Sequence, residues 1–350
     1  MLLSLGSEGR CCMTSWRRAL GIGGLVLAIG IIGGLQFLTA PGDSTDSKIV
    51  EIAPGSSLHD VISVLSSQGL LKHPTLFEIV ARMTGQDRKI IPGEYRLHSD
   101  MSPLTLLSYL VEGRVLQHAV TIPEGFTMVQ IAELLDEHGL TNRHEFLRVC
   151  RDASFIRTLG IGVPTNAPSL EGYLFPDTYF LTRRMSPHDI VRMFVRRFNK
   201  VFTEELRMRA RDIGLTVHEV LTLASIIEKE TSLPEERPVI SGVFHNRLRR
   251  RMPLQSDPTV IYALKEFDGN LRKQDLVLES PYNTYRVIGL PPGPIANPGK
   301  AAILAALYPQ ETDYVYFVSR NDGSHQFSVT LAEHNAAVER YQRAAMNQAS

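Results

Sequence analysis

Thr216 to Thr231 reads TVHEVLTLASIIEKET, and the organisation of the chain can be read outward from it. Thr216 and Glu219 form a capping box, each side chain reaching the other's backbone N–H, so a helix begins here. Val217, Val220, Leu221, Ala224, Ile227 and Glu228 recur at helical spacing on one stripe. Glu228 thus continues the apolar face, whereas Lys229 falls on the polar side with His218, Thr222 and Ser225. At 100° per residue, Glu230 lies about 200° round the helix from Glu228. A carboxyl on an apolar stripe is costly to ionise and its pKa rises, as a general acid working near neutral pH requires. A helix-end glutamate leaning into solvent or paired with an arginine is the competing reading of the same position.

N-terminal to this helix the chain repeats itself. At a fixed offset of 70, Ile52 matches Ile122, Gly55 matches Gly125, Val61 matches Ile131, Leu65 matches Leu135, Gly69 matches Gly139 and Val80 matches Cys150. Each copy reads as a short strand, a turn (Pro54-Gly55 or Pro123-Glu124-Gly125), and an amphipathic helix closed by glycine, with a second helix behind it. The match resumes at offset 84, where Tyr95 pairs with Tyr179 and Met101-Ser102-Pro103 with Met185-Ser186-Pro187. The second copy therefore carries 14 extra residues between Asp152 and Asp177, expected as a loop. This pattern predicts an α+β fold. The βααβ order of the first copy resembles that of LysM-like glycan-binding modules, and a plain spacer would show the same order.

The 37 Lys+Arg and 37 Asp+Glu of the 350 residues cancel, so no global field gathers a polyanion and nucleic acid is excluded as an expected partner. Three cysteines exclude a disulfide scaffold. No charge occurs between Arg18 and Asp43, and the 22 residues 19–40 would span roughly 30 Å as a helix, about one bilayer core. Arg10, Arg17 and Arg18 precede this run. It is expected as a single N-terminal transmembrane helix with a cytoplasmic stub (1–18) and everything beyond exported. Cys11 and Cys12 then lie on the reducing side, and Cys150 alone outside, where the repeat makes it a core residue. The other expected units are a LysM-like module (46–117) and a catalytic domain (118–345).

Ala224-Ser225-Ile226-Ile227-Glu228-Lys229-Glu230-Thr231 resembles the signature of the YceG-like endolytic murein transglycosylases. The likeness continues in Glu171-Gly172-Tyr173-Leu174-Phe175-Pro176-Asp177, Val243 to Leu248, Leu254-Gln255-Ser256-Asp257-Pro258-Thr259, Tyr282-Asn283-Thr284-Tyr285 and Gly289 to Ile295. It implies that Glu228 is the catalytic residue and that the reaction cleaves the β-1,4 bond between N-acetylmuramic acid and N-acetylglucosamine without water, leaving a 1,6-anhydromuramyl end. It implies an enzyme of the bacterial inner membrane, acting on peptidoglycan strands beside glycan polymerases such as penicillin-binding proteins, with no cofactor.

A hydrolase needs two carboxyl groups and a lytic enzyme only one. Glu171 suits substrate orientation or the second carboxylate of a hydrolase, and a non-catalytic glycan scaffold remains a further class. Gln255, Tyr282, Asn283 and Tyr285 are candidate sugar contacts, joined by Tyr173, Asp257 and Glu230. Tyr173 also suits the core, and Asp257 before Pro258 also suits a helix N-cap. Arg247, Arg249, Arg250 and Arg251 are expected at a solvated helix end. The histidines form no metal-binding spacing. Tyr314 to Thr330 is expected as a hairpin over Asn321-Asp322-Gly323, with Thr330 and Glu333 capping a last helix.

Overall fold

The computed structural model describes residues 46–164 and 167–343. The chain divides between Gln117 and His118 into two compact units. The expected stub and membrane span lie outside the described residues, and among those described no helix is long and apolar enough to cross a membrane. The fold is mixed α+β, as the alternating strand and helix signals require.

In the first unit, β1 (Ser47–Ile52) pairs antiparallel with β2 (Gly93–His98), with α1 (Leu58–Ser67) and α2 (Pro74–Met83) between them and α3 (Pro103–Glu112) after. Alternation along the strands turns Val50, Ile52, Tyr95 and Leu97 inward, onto Val61 and Leu65 of α1, Phe77 of α2 and Leu106 and Leu110 of α3.

The second unit opens by repeating this plan. It runs β3 (His118–Thr121), α4 (Met128–Glu137), α5 (Arg143–Arg151), a short α6 (Ala153–Thr158), β4 (Thr178–Leu181) and α7 (Pro187–Val201). Val120 faces Tyr179 across its strand pair as Val50 faces Tyr95. The Thr127–Gln130 capping box of α4 stands 70 residues after the Ser57–Asp60 box of α1. Even a side-chain bond is duplicated: Tyr95 Oη donates to the Ile91 carbonyl at 2.5 Å, and Tyr179 Oη to that of Phe175 at 2.6 Å. Gly55 and Gly125 both take φ of 75°, a left-handed turn from strand to helix that other residues resist. Cys150 is fully buried, as its place in the repeat requires.

The extra residues of the second copy do not form the simple loop expected of them. The stretch that holds them includes α6, and Leu170 to Pro176 at its end are buried, because Leu170, Tyr173 and Leu174 enter the main core.

The remainder is α8 (Glu204–Asp212), α9 (Val217–Glu230), α10 (Arg237–Arg249), α11 (Asp257–Ala263), α12 (Lys300–Leu307), the β5 (Tyr316–Ser319) and β6 (His325–Ser328) hairpin, and α13 (Leu331–Val338). The α9 capping box forms as expected, and so does the Thr330–Glu333 box of α13. Phe317 faces Phe327 across the hairpin.

Two expectations are corrected. First, α9 has no solvated face along most of its length: His218, Thr222 and Ser225 are buried along with the apolar stripe. Burial is tolerated because each polar group is bonded. Thr222 Oγ1 donates to the His218 carbonyl at 2.8 Å, Ser225 Oγ donates to the Thr222 carbonyl and accepts the Ile295 N–H, and His218 joins Tyr173 Oη and the Pro292 carbonyl. The helix lies between α12, α10 and α11. Second, Arg247 is not solvated but 6% exposed. Its Nε donates to the Val315 carbonyl at 2.6 Å and its Nη1 to those of Leu254 and Pro253, so the guanidinium fastens the hairpin and the 253–255 loop to α10.

Candidate active site

Glu228 sits in the last turn of α9 with its side chain only 6% exposed. Two donors hold its carboxyl. Arg237, in the first turn of α10 and itself 12% exposed, donates from Nη2 to Oε1 at 3.2 Å, and the Gly299 N–H donates to Oε2 at 2.9 Å. Gly299 is the N-cap of α12, so the carboxyl also meets the positive end of a helix. Lys229 and these donors favour the carboxylate, whereas burial, the largest influence, and the nearby Glu124 favour the acid. The balance raises the pKa above the ordinary glutamate value. The helix-end reading that pairs this glutamate with an arginine is thus also realised, and the pairing does not cancel the effect of burial. Arg237 Nε is buried without a hydrogen-bond partner among the described residues, so the guanidinium meets Glu228 through a single N–H.

The α12 N-terminus and the Gly125 turn are fastened together by Asn297, which is fully buried. Its Nδ2 donates to the Phe126 carbonyl and to Glu171 Oε1, both at 2.9 Å, and its Oδ1 accepts the Leu174 N–H at 2.9 Å. Its backbone N–H donates to the Phe126 carbonyl and its carbonyl accepts the Gly125 N–H, both at 2.9 Å. Glu171 is the centre of this knot. Its Oε1 also accepts the Met128 N–H at 2.9 Å at the start of α4, and Tyr262 Oη donates to Oε2 at 3.3 Å. Burial lifts the Glu171 carboxyl to about 7 against these bonds.

Glu230 leaves the opposite side of α9, as its 200° offset requires. Its carboxyl is enclosed under the 255–257 loop, where Ser256 Oγ donates to Oε1, and burial lifts its pKa to about 7. Beside it, Tyr285 Oη donates to Asp257 Oδ1 at 2.6 Å, and Arg247 Nη1 donates to Gln255 Oε1 at 3.3 Å. Asp257 is not the N-cap of α11 but its first residue. Ser256 occupies the cap position and gives its hydroxyl to Glu230 instead of the helix. Gln255 and Asp257 are exposed, Tyr282 and Tyr285 half-buried, and the Tyr282 ring lies 5.1 Å from that of Tyr262. Gln255 has φ of 51°, a strained conformation for a residue with a side chain.

Besides Glu230, two more of the candidate sugar contacts turn inward. Tyr173 is fully buried, its hydroxyl 3.0 Å from His218 Nδ1 and its ring edge-on to Phe198. Asn283 is fully buried too, its Nδ2 donating to the Leu276 and Leu278 carbonyls and its Oδ1 accepting the Tyr285 N–H. Their polar groups are committed to the protein, which assigns them to holding the 276–285 loop and the core. Arg237, Gly299, Asn297 and Glu124 are not marked as site residues by any pattern in the sequence. Only Glu124 left a trace there, a glutamate where the first copy has Pro54.

The buried carboxyls predict an unusual pH dependence. Folded Glu171 and Glu230 titrate near 7 rather than 4.5, so between these values the folded chain holds more protons than the unfolded one. Stability is therefore greatest below about 4.5 in this respect and declines as pH rises towards 7, by roughly 3 kcal/mol per group. Urea unfolding at pH 5 and pH 7.5 should show the decline, and Glu230→Gln should lessen it. An equal pH dependence in wild type and variant would refute the assignment.

The YceG-like family model matches residues 50–340. An endolytic murein transglycosylase of Bacillus subtilis is 34% identical over 85% of this chain and 86% of its own length. One of Streptococcus pneumoniae is 30% identical over 92% of this chain and 64% of its own length, so the chain spans under two thirds of that relative. A 2.6 Å crystal structure of a yceG-like protein from Listeria monocytogenes superposes with a TM-score of 0.58 at 32% identity, covering 83% of this chain and 98% of that one. With a family match running from the first strand pair through the Glu228 helix to the last helix, this chain belongs to the YceG-like family.

Proposed function

We propose that this protein is a membrane-anchored endolytic lytic transglycosylase. It cleaves the β-1,4 bond between N-acetylmuramic acid and N-acetylglucosamine within nascent peptidoglycan strands, leaves 1,6-anhydromuramyl ends and so ends strand elongation. The observation that carries the reading is the environment of Glu228: a carboxyl made more basic by burial, yet gripped by two donors that stabilise its anion. Such a group gives a proton and takes one back. Protonated Glu228 donates to the leaving glycosidic oxygen as the C1–O bond breaks. The resulting carboxylate, held by Arg237 and the Gly299 N–H, then accepts the proton of the C6 hydroxyl as that oxygen closes on C1. The nucleophile belongs to the sugar, so placement takes over the role of water activation.

Gln255, Asp257, Tyr282 and Tyr285 supply the sugar-binding surface in this reading. The strained backbone of Gln255 supports it, because such strain concentrates where ligands are clamped. Glu171 and Glu230 shape the site from beneath. The LysM-like first unit adds a glycan contact, and residues 19–40 anchor the enzyme in the inner membrane with its catalytic domain outside, beside polymerases such as penicillin-binding proteins. Digestion of purified sacculi followed by mass spectrometry tests the chemistry. Muropeptide ends lighter than reducing ends by one water are expected, and reducing ends would reject the mechanism.

A further inference from the structure

Glu124 is a second carboxylate beside Glu228, on the turn between β3 and α4. Its carboxyl lies against Gly299, the residue whose N–H is bonded to Glu228, so closely that a methyl group on Gly299 would overlap it. The neighbouring Gly125 packs on the Glu228 side chain itself: a β-carbon there would stand 3.5 Å from Glu228 Cγ. Glu124 is exposed, and among the described residues it has neither a hydrogen bond nor an ion pair. The turn does not demand a glutamate, since the first copy builds the same turn, with the same glycine φ, using Pro54. An unpaired charge next to a largely buried acid therefore calls for a role outside the fold.

We propose that Glu124 is a positioning residue of the reaction, its carboxylate beside Gly299 setting the pH range over which Glu228 serves as the acid. This rests on the function proposed above for Glu228. The groups facing the Glu228 carboxyl are Arg237 from α10, Lys229 from its own helix, the Gly299 N–H at the start of α12, and Glu124 from the turn before α4. The first three stabilise the carboxylate. Glu124 opposes them, in the same sense as burial, because two like charges at close range disfavour ionising both. Being water-facing, it exerts this effect through a medium that salt can screen.

The test is a set of pH–rate profiles of kcat/KM on purified sacculi for the wild type, Glu124→Gln and Gly299→Ala. Glu124→Gln should move the alkaline limb, where Glu228 loses its proton, about half to one pH unit towards acid, with activity retained below it. The displacement between the two profiles should shrink when the ionic strength is raised. Gly299→Ala keeps the N–H that holds Glu228 but pushes the Glu124 carboxyl aside, and should shift the limb the same way. If Gly299→Ala fails to fold, the isosteric Glu124→Gln decides alone. An unmoved limb in Glu124→Gln overturns the proposal, and so does loss of activity at every pH, which would make Glu124 a group touching the reacting atoms. Product masses from the wild type separate the two ideas. Reducing ends would remove the transglycosylase reading, while the position of the limb would still report on Glu124.

Discussion

Glu228→Gln is expected to reduce cleavage of peptidoglycan strands by about 10²–10⁴-fold, the range that an acid/base group contributes. Glutamine keeps the shape and can still accept one of the two bonds from Arg237 and Gly299, so the fold should survive. It has no proton to give to a glycosidic oxygen and no anion to receive one. Breaking a buried ion pair leaves Arg237 less well satisfied, so a modest loss of stability is also expected. Sacculus digestion followed by mass spectrometry, with circular dichroism as the control for folding, measures both effects. A folded Glu228→Gln protein within tenfold of wild-type activity would remove Glu228 from the chemistry.

Asn297→Ala is expected to lower stability by about 3 kcal/mol, and with it the activity. The side chain joins three segments: the Phe126 carbonyl beside the Gly125 turn, the Leu174 N–H, and Glu171. Removing it leaves a buried N–H and a buried carboxyl short of partners, and each unmet group costs about 1–3 kcal/mol. For a unit of this size, 3 kcal/mol corresponds to a drop in Tm of roughly 6–12 °C. The same knot places Gly299 against Glu228, so cleavage by the surviving folded fraction should also fall. A thermal melt with Tm within about 2 °C of wild type would show that the loops are held by other means.

The repeat was legible because a duplicated scaffold preserves what its geometry needs. Strand residues that face inward, a capping box and a glycine of positive φ cannot drift without loss, and offsets of 70 and 84 expose them. The α9 capping box was legible for the same local reason. Arg247 was not. A run of arginines at a helix end reads as a solvated cluster, and only the packing of the 253–255 loop and the hairpin onto α10 turns one of them inward, where carbonyls replace water. Asn283 misled in the opposite direction, and of the two readings open for Tyr173 the core is the one realised, since amides and aromatics serve a buried loop as readily as they serve a sugar.

By itself the sequence determined the local elements, the repeat that builds about the first third of the second unit, and the position of Glu228 at the end of a largely apolar helix. Those features depend on residues close together in the chain, or on a period that can be counted. Only the tertiary structure decided what surrounds that carboxyl: Arg237 from the next helix, Gly299 from the start of α12, Glu124 from a turn about a hundred residues earlier, and Asn297 tying the last two segments together. The acidity of a group is set by the burial and charges around it in space, and contacts between such distant segments leave no spacing in the sequence to be read.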